Sequence, residues 1–498
     1  MGNTIWAICY FIVLIGLSAY GLHRYGIVYL FLKHRNNLPK PKGHFHKLPR
    51  VTVQLPIYNE YYVVERLIKA VSELDYPREL LQIQVLDDST DETCALSEAK
   101  VEELRAQGFD IQLNQRSDRH GFKAGALEAG LKTCTGEFIL ILDADFVPTT
   151  DLLKQTIHFF TDPQVGMIQS RWGHINRKYS LLTRVQAMFL DGHLLLEQTA
   201  RSRSGRFFNF NGTAGLWRRT CIDSSGGWQH DTLTEDLDLS YRAQLKGWKF
   251  IFIADLVTPA ELPVDMNGFK SQQHRWTKGS IQTCKKILPA IWRSKLPFTI
   301  KMEATAHLTS NFAYLLLAFL CVLVHPASGG LGEGMWRTVL LDIPIFLAAS
   351  LSSAVFYICA QRELYPRRWM KEILLLPMLL ALGIGLAVNN ARAVLEAVFN
   401  QQSEFTRTPK YGIEQRKLQW RSARYSPMKT MLPLIELAMA VYFTLLVIGA
   451  LIGRQYFSVP FLMLFQVGFG YVAFSSIAQW MPKPSLQPEV APEAVVTA

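Results

Sequence analysis

Four apolar runs in the second half of the chain, residues 304–324, 339–360, 431–452 and 459–479, restrict its possible folds more than any other feature. Each is close to the roughly 20 apolar residues that a helix needs to cross the hydrocarbon core of a bilayer. A fifth run, from Ile5 to about Gly21, lacks the basic leader of a secretory signal and is followed by His23, Arg24, Lys33, His34 and Arg35. It reads as a retained anchor, and the positive-inside rule places residues 33–50 in the cytosol. Residues 373–388 are short, contain Pro377, Gly383 and Gly385, and have basic flanks on both sides (Arg367, Arg368 and Lys371; then Arg392, Arg407 and Lys410). A full crossing would put one basic flank outside, so this segment reads as interfacial or re-entrant, for about five spans in total. The expected division is an anchor at 1–35, a cytosolic domain at 36–300, a membrane region at 301–482 with the re-entrant helix at 373–400, and a Pro-, Ala- and Glu-rich disordered tail at 483–498.

Charge and cysteine usage narrow the function classes. The net charge of +11 comes from Lys and Arg clustered beside the apolar runs, where they set topology and meet anionic headgroups, so nucleic acid is not an expected partner. Seven cysteines form neither a CxxC pair nor a Cys/His spacing. Neither zinc nor a disulfide framework is indicated, and a reducing compartment suits them.

Between the anchor and the later runs, short β-rich segments at 51–57, 82–86, 111–114, 138–142 and 165–169 alternate with helical spacing, as at 63–74 and 124–131. That alternation predicts a doubly wound, mostly parallel α/β sheet, whose ligands bind beyond the carboxyl ends of its strands. Acids stand at those positions: Asp87-Asp88-Ser89 after the second strand and Asp143-Ala144-Asp145 after the fourth. Loop acids and helix caps are the ordinary use of such residues, but two sets at two strand ends suit a nucleotide-sugar diphosphate. Its charge is commonly neutralised by Mg²⁺ or Mn²⁺ on one or two carboxylates, here Asp145 with Asp143. Asp87 is placed for the nucleoside end. Tyr58 and Glu60, in the Pro-Ile-Tyr-Asn-Glu run closing the first strand, stand at the donor end; Tyr58 either stacks on a base or belongs to a turn capped by Asn59.

Lys123, near the start of a helix, is either a diphosphate contact or a solvated lysine. Thr234-Glu235-Asp236 opens the next helix, with Asp236 the candidate general base for an acceptor hydroxyl. A metal-bound diphosphate leaves without a general acid, so one base suffices and the anomeric centre should invert. Gln272-Gln273-His274-Arg275-Trp276 lies just before the later spans. An interfacial helix also uses Arg and Trp as anchors; the functional reading puts Arg275 on the leaving diphosphate, Trp276 under the acceptor sugar and Gln272 beside it.

In order and spacing these motifs resemble the processive family 2 glycosyltransferases, cellulose synthases among them. The runs Val51-Thr-Val-Gln-Leu-Pro-Ile-Tyr-Asn-Glu60, His120-Gly-Phe-Lys-Ala-Gly-Ala-Leu127 and Phe210-Asn-Gly-Thr-Ala-Gly215 resemble plant cellulose synthase-like A and C proteins, mannan and glucan synthases, and their bacterial relatives. The resemblance covers about residues 50 to 415. It implies a GT-A catalytic fold, a UDP-glucose or GDP-mannose type donor, a polysaccharide acceptor and a membrane channel for the polymer. It further implies a gating loop of pattern F-x-V-T-x-K at 404–412, matched here by Phe405, Thr408 and Lys410, with Arg407 where the family has Val. Transfer of one sugar to a lipid, as in ceramide glucosyltransferases, uses the same acids and Q-x-x-R-W string. A non-catalytic transporter would explain the spans but not the acids.

Overall fold

The computed structural model describes residues 2–328, 344, 346–402, 407–413 and 430–480. Phe405 and the start of the expected span 339–360, at residues 339–343 and 345, lie outside them, as does the tail from residue 481. Seven strands form one sheet: β1 (Val51–Ile57), β2 (Leu81–Asp87), β3 (Asp110–Gln115), β4 (Phe138–Ile141), β5 (Val165–His174), β6 (Gly215–Arg218) and β7 (Lys249–Ala260). Their order is β3-β2-β1-β4-β6-β5-β7, with β6 antiparallel to both neighbours and the other pairs parallel. The five strands expected from the sequence fall in β1 to β5. β6 and β7 were not anticipated.

Register aligns the functional edge. Ile57 pairs with Asp87 and Asp87 with Gln115, while Gln54 pairs with Ile141, so β1, β2 and β4 release their loops on one side of the sheet. The order reverses at β1, with β2 to one side and β4 to the other, and this switch point opens the crevice.

The two faces of β1 are buried in different ways. Val51, Val53, Leu55 and Ile57 enter an apolar core with Ile83, Val85, Leu140 and Leu216. On the opposite face, buried Thr52 donates to Gln82 Oε1 (2.8 Å) and Gln54 to Gln84 Oε1 (3.0 Å), and Gln84 donates on to Thr133 Oγ1 (2.9 Å). An unpaired buried amide costs about 1–3 kcal/mol, so this ladder enforces the strand register and the docking of the helix Phe122–Thr133. That docking positions Lys123.

A second apolar core runs without a break from the sheet into the later helices. Ile139, Ile141 and Trp217 share it with Ile27 and Phe31 of the first helix, and with Phe356, Leu379, Leu382 and Val472. Three described helices are long and apolar enough to cross a membrane: Ile5–His34, Leu432–Ile452 and Val459–Trp480. Two bent pairs bring the total to as many as five: Phe298–Thr309 with Phe312–Val324, bent by 55°, and Trp369–Gly385 with Ala387–Val398, bent by 41°. The first bend interrupts what reads in the sequence as one span. Thr309 Oγ1 donates to Thr305 O and Ser310 Oγ to His307 O at the break, side-chain bonds that compete with the helix's own. The second bend falls on the segment expected to be re-entrant.

Candidate active site

The β4 end and the Phe210–Gly215 loop build the centre of the cleft together. Asp143 follows β4; its N–H donates to Thr213 Oγ1 (2.8 Å), and its Oδ1 accepts from Lys123 Nζ (2.5 Å). Lys123 Nζ also donates to Gly212 O (2.8 Å). Gly212 has φ +82°, and a Cβ there would come within 3.0 Å of Asp236 Oδ2, so only glycine allows the loop, Lys123 and Asp236 to meet so closely. Burial disfavours charge on Lys123, but Asp143, Glu235 and Asp236 outweigh it and hold the ammonium above its usual pKa.

Asp236 is the second residue of the helix Glu235–Leu245 and accepts from the Leu237 N–H at 2.8 Å. Burial, then the neighbouring Glu235, push its carboxyl up to about 7. A carboxylate tuned to that range suits proton acceptance near neutral pH.

The third wall is the helix Met266–Arg293. Gln272, Arg275, Trp276 and Gly279 recur at helical spacing and share one face. A Cβ on Gly279 would come within 2.6 Å of Thr234 Cγ2, so the bare glycine lets the Thr234-Glu235-Asp236 segment lie directly against this helix. Two buried ion pairs fasten the helix to the membrane region: Lys270 to Glu436 (2.6 Å) and Lys278 to Glu396 (3.0 Å).

Residues 407–413 close the fourth side. Arg407 Nη1 donates to Tyr58 O (3.1 Å) and to Asn59 O, and lies 3.2 Å from Glu60 Oε2. Lys410 Nζ binds Asp145 Oδ2 at 2.5 Å, and the Tyr411 and Gly412 N–H groups donate to the two oxygens of buried Glu261 (3.1 and 3.0 Å). Burial pushes Glu60 up to about 8, with Arg407 and Lys410 pulling the other way. Arg407, which breaks the family's loop pattern, is thus the residue that bridges this segment to the end of β1.

One cleft of about 200 Å³ collects these groups. Tyr58, Glu60, Lys123, Asp143 and Asp145 line it; so do Thr234, Glu235 and Asp236, Gln272, Arg275 and Trp276, and Thr408 and Lys410. Asp87 is placed otherwise. It is buried at the last position of β2, its Oδ1 accepts from the Ser89 N–H (2.8 Å), and its neighbour Asp88, paired with Arg116, lines the cleft. The Tyr58 ring is covered by Arg119, whose guanidinium carbon lies 3.2 Å from the ring centroid. Arg119, Glu261, Asn211 and Trp172 also line the cleft and were not anticipated. The Asn-Gly-Thr-Ala-Gly run around Asn211 was the available signal for one of them.

Asp143 and Asp145 suit a Mg²⁺ or Mn²⁺ ion. Both are hard oxygen donors, and each is paired with an ammonium lining the same cleft, Lys123 and Lys410. Among the described residues no three His, Cys, Asp or Glu side chains form a closed cage. An ion held by two carboxylates is completed by substrate phosphate and water, the usual arrangement for Mg²⁺.

Residues 49–279 match the family described as glycosyltransferase like family 2. Over 254 residues the chain is 42% identical to "Glucomannan 4-beta-mannosyltransferase 2" of Arabidopsis thaliana, covering 50% of this chain and 47% of that one. Over 244 residues it is 46% identical to "Probable glucomannan 4-beta-mannosyltransferase 7" of Oryza sativa subsp. japonica, covering 48% and 42%. The chain thus spans about half the length of these curated relatives. Among solved structures, the mannosyltransferase PcManGT from Pyrobaculum calidifontis, in complex with GDP-Man and Mn²⁺, shares the fold with a TM-score of 0.52 at 22% identity, covering 72% of this chain and 99% of that one. The sheet order, the acids at its edge and the family match agree: residues 49–279 form a family 2 glycosyltransferase domain of GT-A fold.

Proposed function

We propose that the protein is an inverting membrane glycosyltransferase that adds hexosyl units from a nucleotide sugar to the non-reducing end of a growing β-linked glycan, and that the polymer leaves through the membrane helices. The observation that carries this reading is the meeting of the Asp143/Asp145 pair, Asp236 and the Gln272–Arg275–Trp276 face in one cleft. The mannosyltransferase names of the relatives support a mannosyl donor as the first candidate.

Asp236 accepts the proton of the acceptor hydroxyl as its oxygen bonds to the anomeric carbon. The bond from that carbon to the diphosphate breaks on the opposite face, its electron pair leaving with the diphosphate, and the configuration inverts. Lys123 and Arg275 hold the departing charge; burial lowers the Arg275 pKa, against which Glu235, Asp143 and Asp236 act. A divalent cation bound by Asp145 with Asp143 would supply further neutralisation of the diphosphate. Trp276 offers an aromatic face to the terminal sugar, and Gln272 a hydrogen bond.

The test is incubation of the full chain in lipid with GDP-mannose, UDP-glucose and related donors, with Mg²⁺ or Mn²⁺, followed by product sizing. A β-linked polymer is expected. A chloroform-extractable single-sugar product would overturn polymer synthesis, and no transfer from any donor would overturn the whole reading.

A further inference from the structure

The end of β5 and the segment after β7 form the wall of the cleft facing Trp276. Leu190 and Leu262 pack with Trp172 and Trp276, while Asn176 clamps the two segments, donating to Leu262 O (2.8 Å) and accepting from its N–H (2.9 Å). His174 lines this wall, two residues beyond Trp172 and therefore on the same face of β5. Its Nε2 lies 3.1 Å from Asp191 Oδ1. The other carboxylate oxygen of buried Asp191 accepts from Arg177 Nη1 (2.6 Å) and from Gln361 Nε2 (3.2 Å), the latter on the helix Ser352–Leu364. Burial opposes the charge of Asp191, but His174 and Arg177 hold its pKa down at about 2, so it is ionised and can only accept. Nε2 therefore carries a proton directed at Asp191, and Nδ1 makes no hydrogen bond among the described residues.

A histidine held by a buried carboxylate through one ring nitrogen, with the other unbonded in a cleft beside Trp172 and Trp276, suits a sugar hydroxyl. We propose that His174 binds a hydroxyl of the acceptor glycan through Nδ1, with Asp191 as the residue that positions it. This assignment rests on the transferase reading above and extends it to acceptor recognition. Because Gln361 holds Asp191 from the membrane region, the contact also ties acceptor placement to those helices.

The experiment follows how the full-length protein in lipid nanodiscs partitions donor between glycan and free sugar. It uses GDP-mannose and UDP-glucose with Mn²⁺, with and without mannohexaose as acceptor. For H174A the ratio of transfer to hydrolysis should fall about tenfold, the equivalent of one lost hydrogen bond, while donor KM and hydrolysis rate stay within about twofold of wild type. D191N should shift the ratio in the same direction, and H174Q, which keeps an acceptor atom, should recover part of it. A wild-type ratio in H174A overturns the assignment, as does parallel loss of transfer and hydrolysis in all three variants. If the wild-type protein consumes no nucleotide sugar, the transferase reading falls and takes this assignment with it; if it elongates glycan and H174A does so equally, only the assignment falls.

Discussion

The two ends of the cleft are built from different materials. At the proposed donor end four acids meet cations: Lys123 on Asp143, Lys410 on Asp145, Arg116 on Asp88, and Arg407 beside Glu60. At the proposed acceptor end the wall is apolar and aromatic, Trp172 and Trp276 packed on Leu190 and Leu262, with His174 as its polar point. A diphosphate carries charge that must be met by charge, whereas a sugar ring offers apolar C–H faces and hydroxyls that need flat surfaces and few, well-placed hydrogen bonds. In the proposed reaction Asp236 stands between both substrates.

Substitutions can test that division. D236N should be the most damaging, lowering transfer by about 10²- to 10⁴-fold with donor binding retained, as seen in single-turnover measurements against donor-binding isotherms. The wild-type pH profile reports the same group. A base with its carboxyl at about 7 works only when deprotonated, so transfer should rise with pH through about 7, and fall again as pH drops below it. D145N acts on the donor end alone; half-maximal Mn²⁺ should rise about 10- to 100-fold in activity titrations, and chelation should silence the wild type until Mg²⁺ or Mn²⁺ is restored. W276A acts on the acceptor end alone. Loss of its stacking face should raise the acceptor KM about tenfold while donor KM holds, and an equal rise in both would break the division. R407V should have the smallest effect, about a fivefold rise in donor KM from weakened closure by residues 407–413, with kcat unchanged.

Most of the cleft could be read from residue order because its groups occupy positions fixed by simple rules: acids just past strand ends, a base in a first helical turn, and Gln272, Arg275 and Trp276 on one helical face. The choice between Asp87 and Asp88 could not. Adjacent residues at a strand end point to opposite sides, and only the pairing register decides which side faces the ligand. Asp87 turned inward onto Ser89, and Asp88 faces the cleft. Arg407 read as a defect in a family pattern because its partners, the Tyr58 and Asn59 carbonyls, are almost 350 residues away. β6 has four residues, too few to show a period, and in β7 the burial alternates while the residue types do not, Phe250 to Ala254 being apolar throughout. The Gln and Thr face of β1 reads as solvent-facing by alternation, yet it is fully buried because Gln82 and Gln84 satisfy it.

The apolar core that passes from Trp217 and Ile141 to Phe356, Leu379 and Val472 determines how this molecule can be dissected. At Gly192 an added methyl would come within 2.6 Å of Phe356, so the two halves meet with no slack. Severing the chain after Arg293 would strip Leu195, Met188 and their neighbours of their cover and leave a broad greasy patch open to water. A soluble fragment of this protein should therefore clump unless detergent or lipid stands in for the missing helices, and biochemical work on it begins with those helices in place.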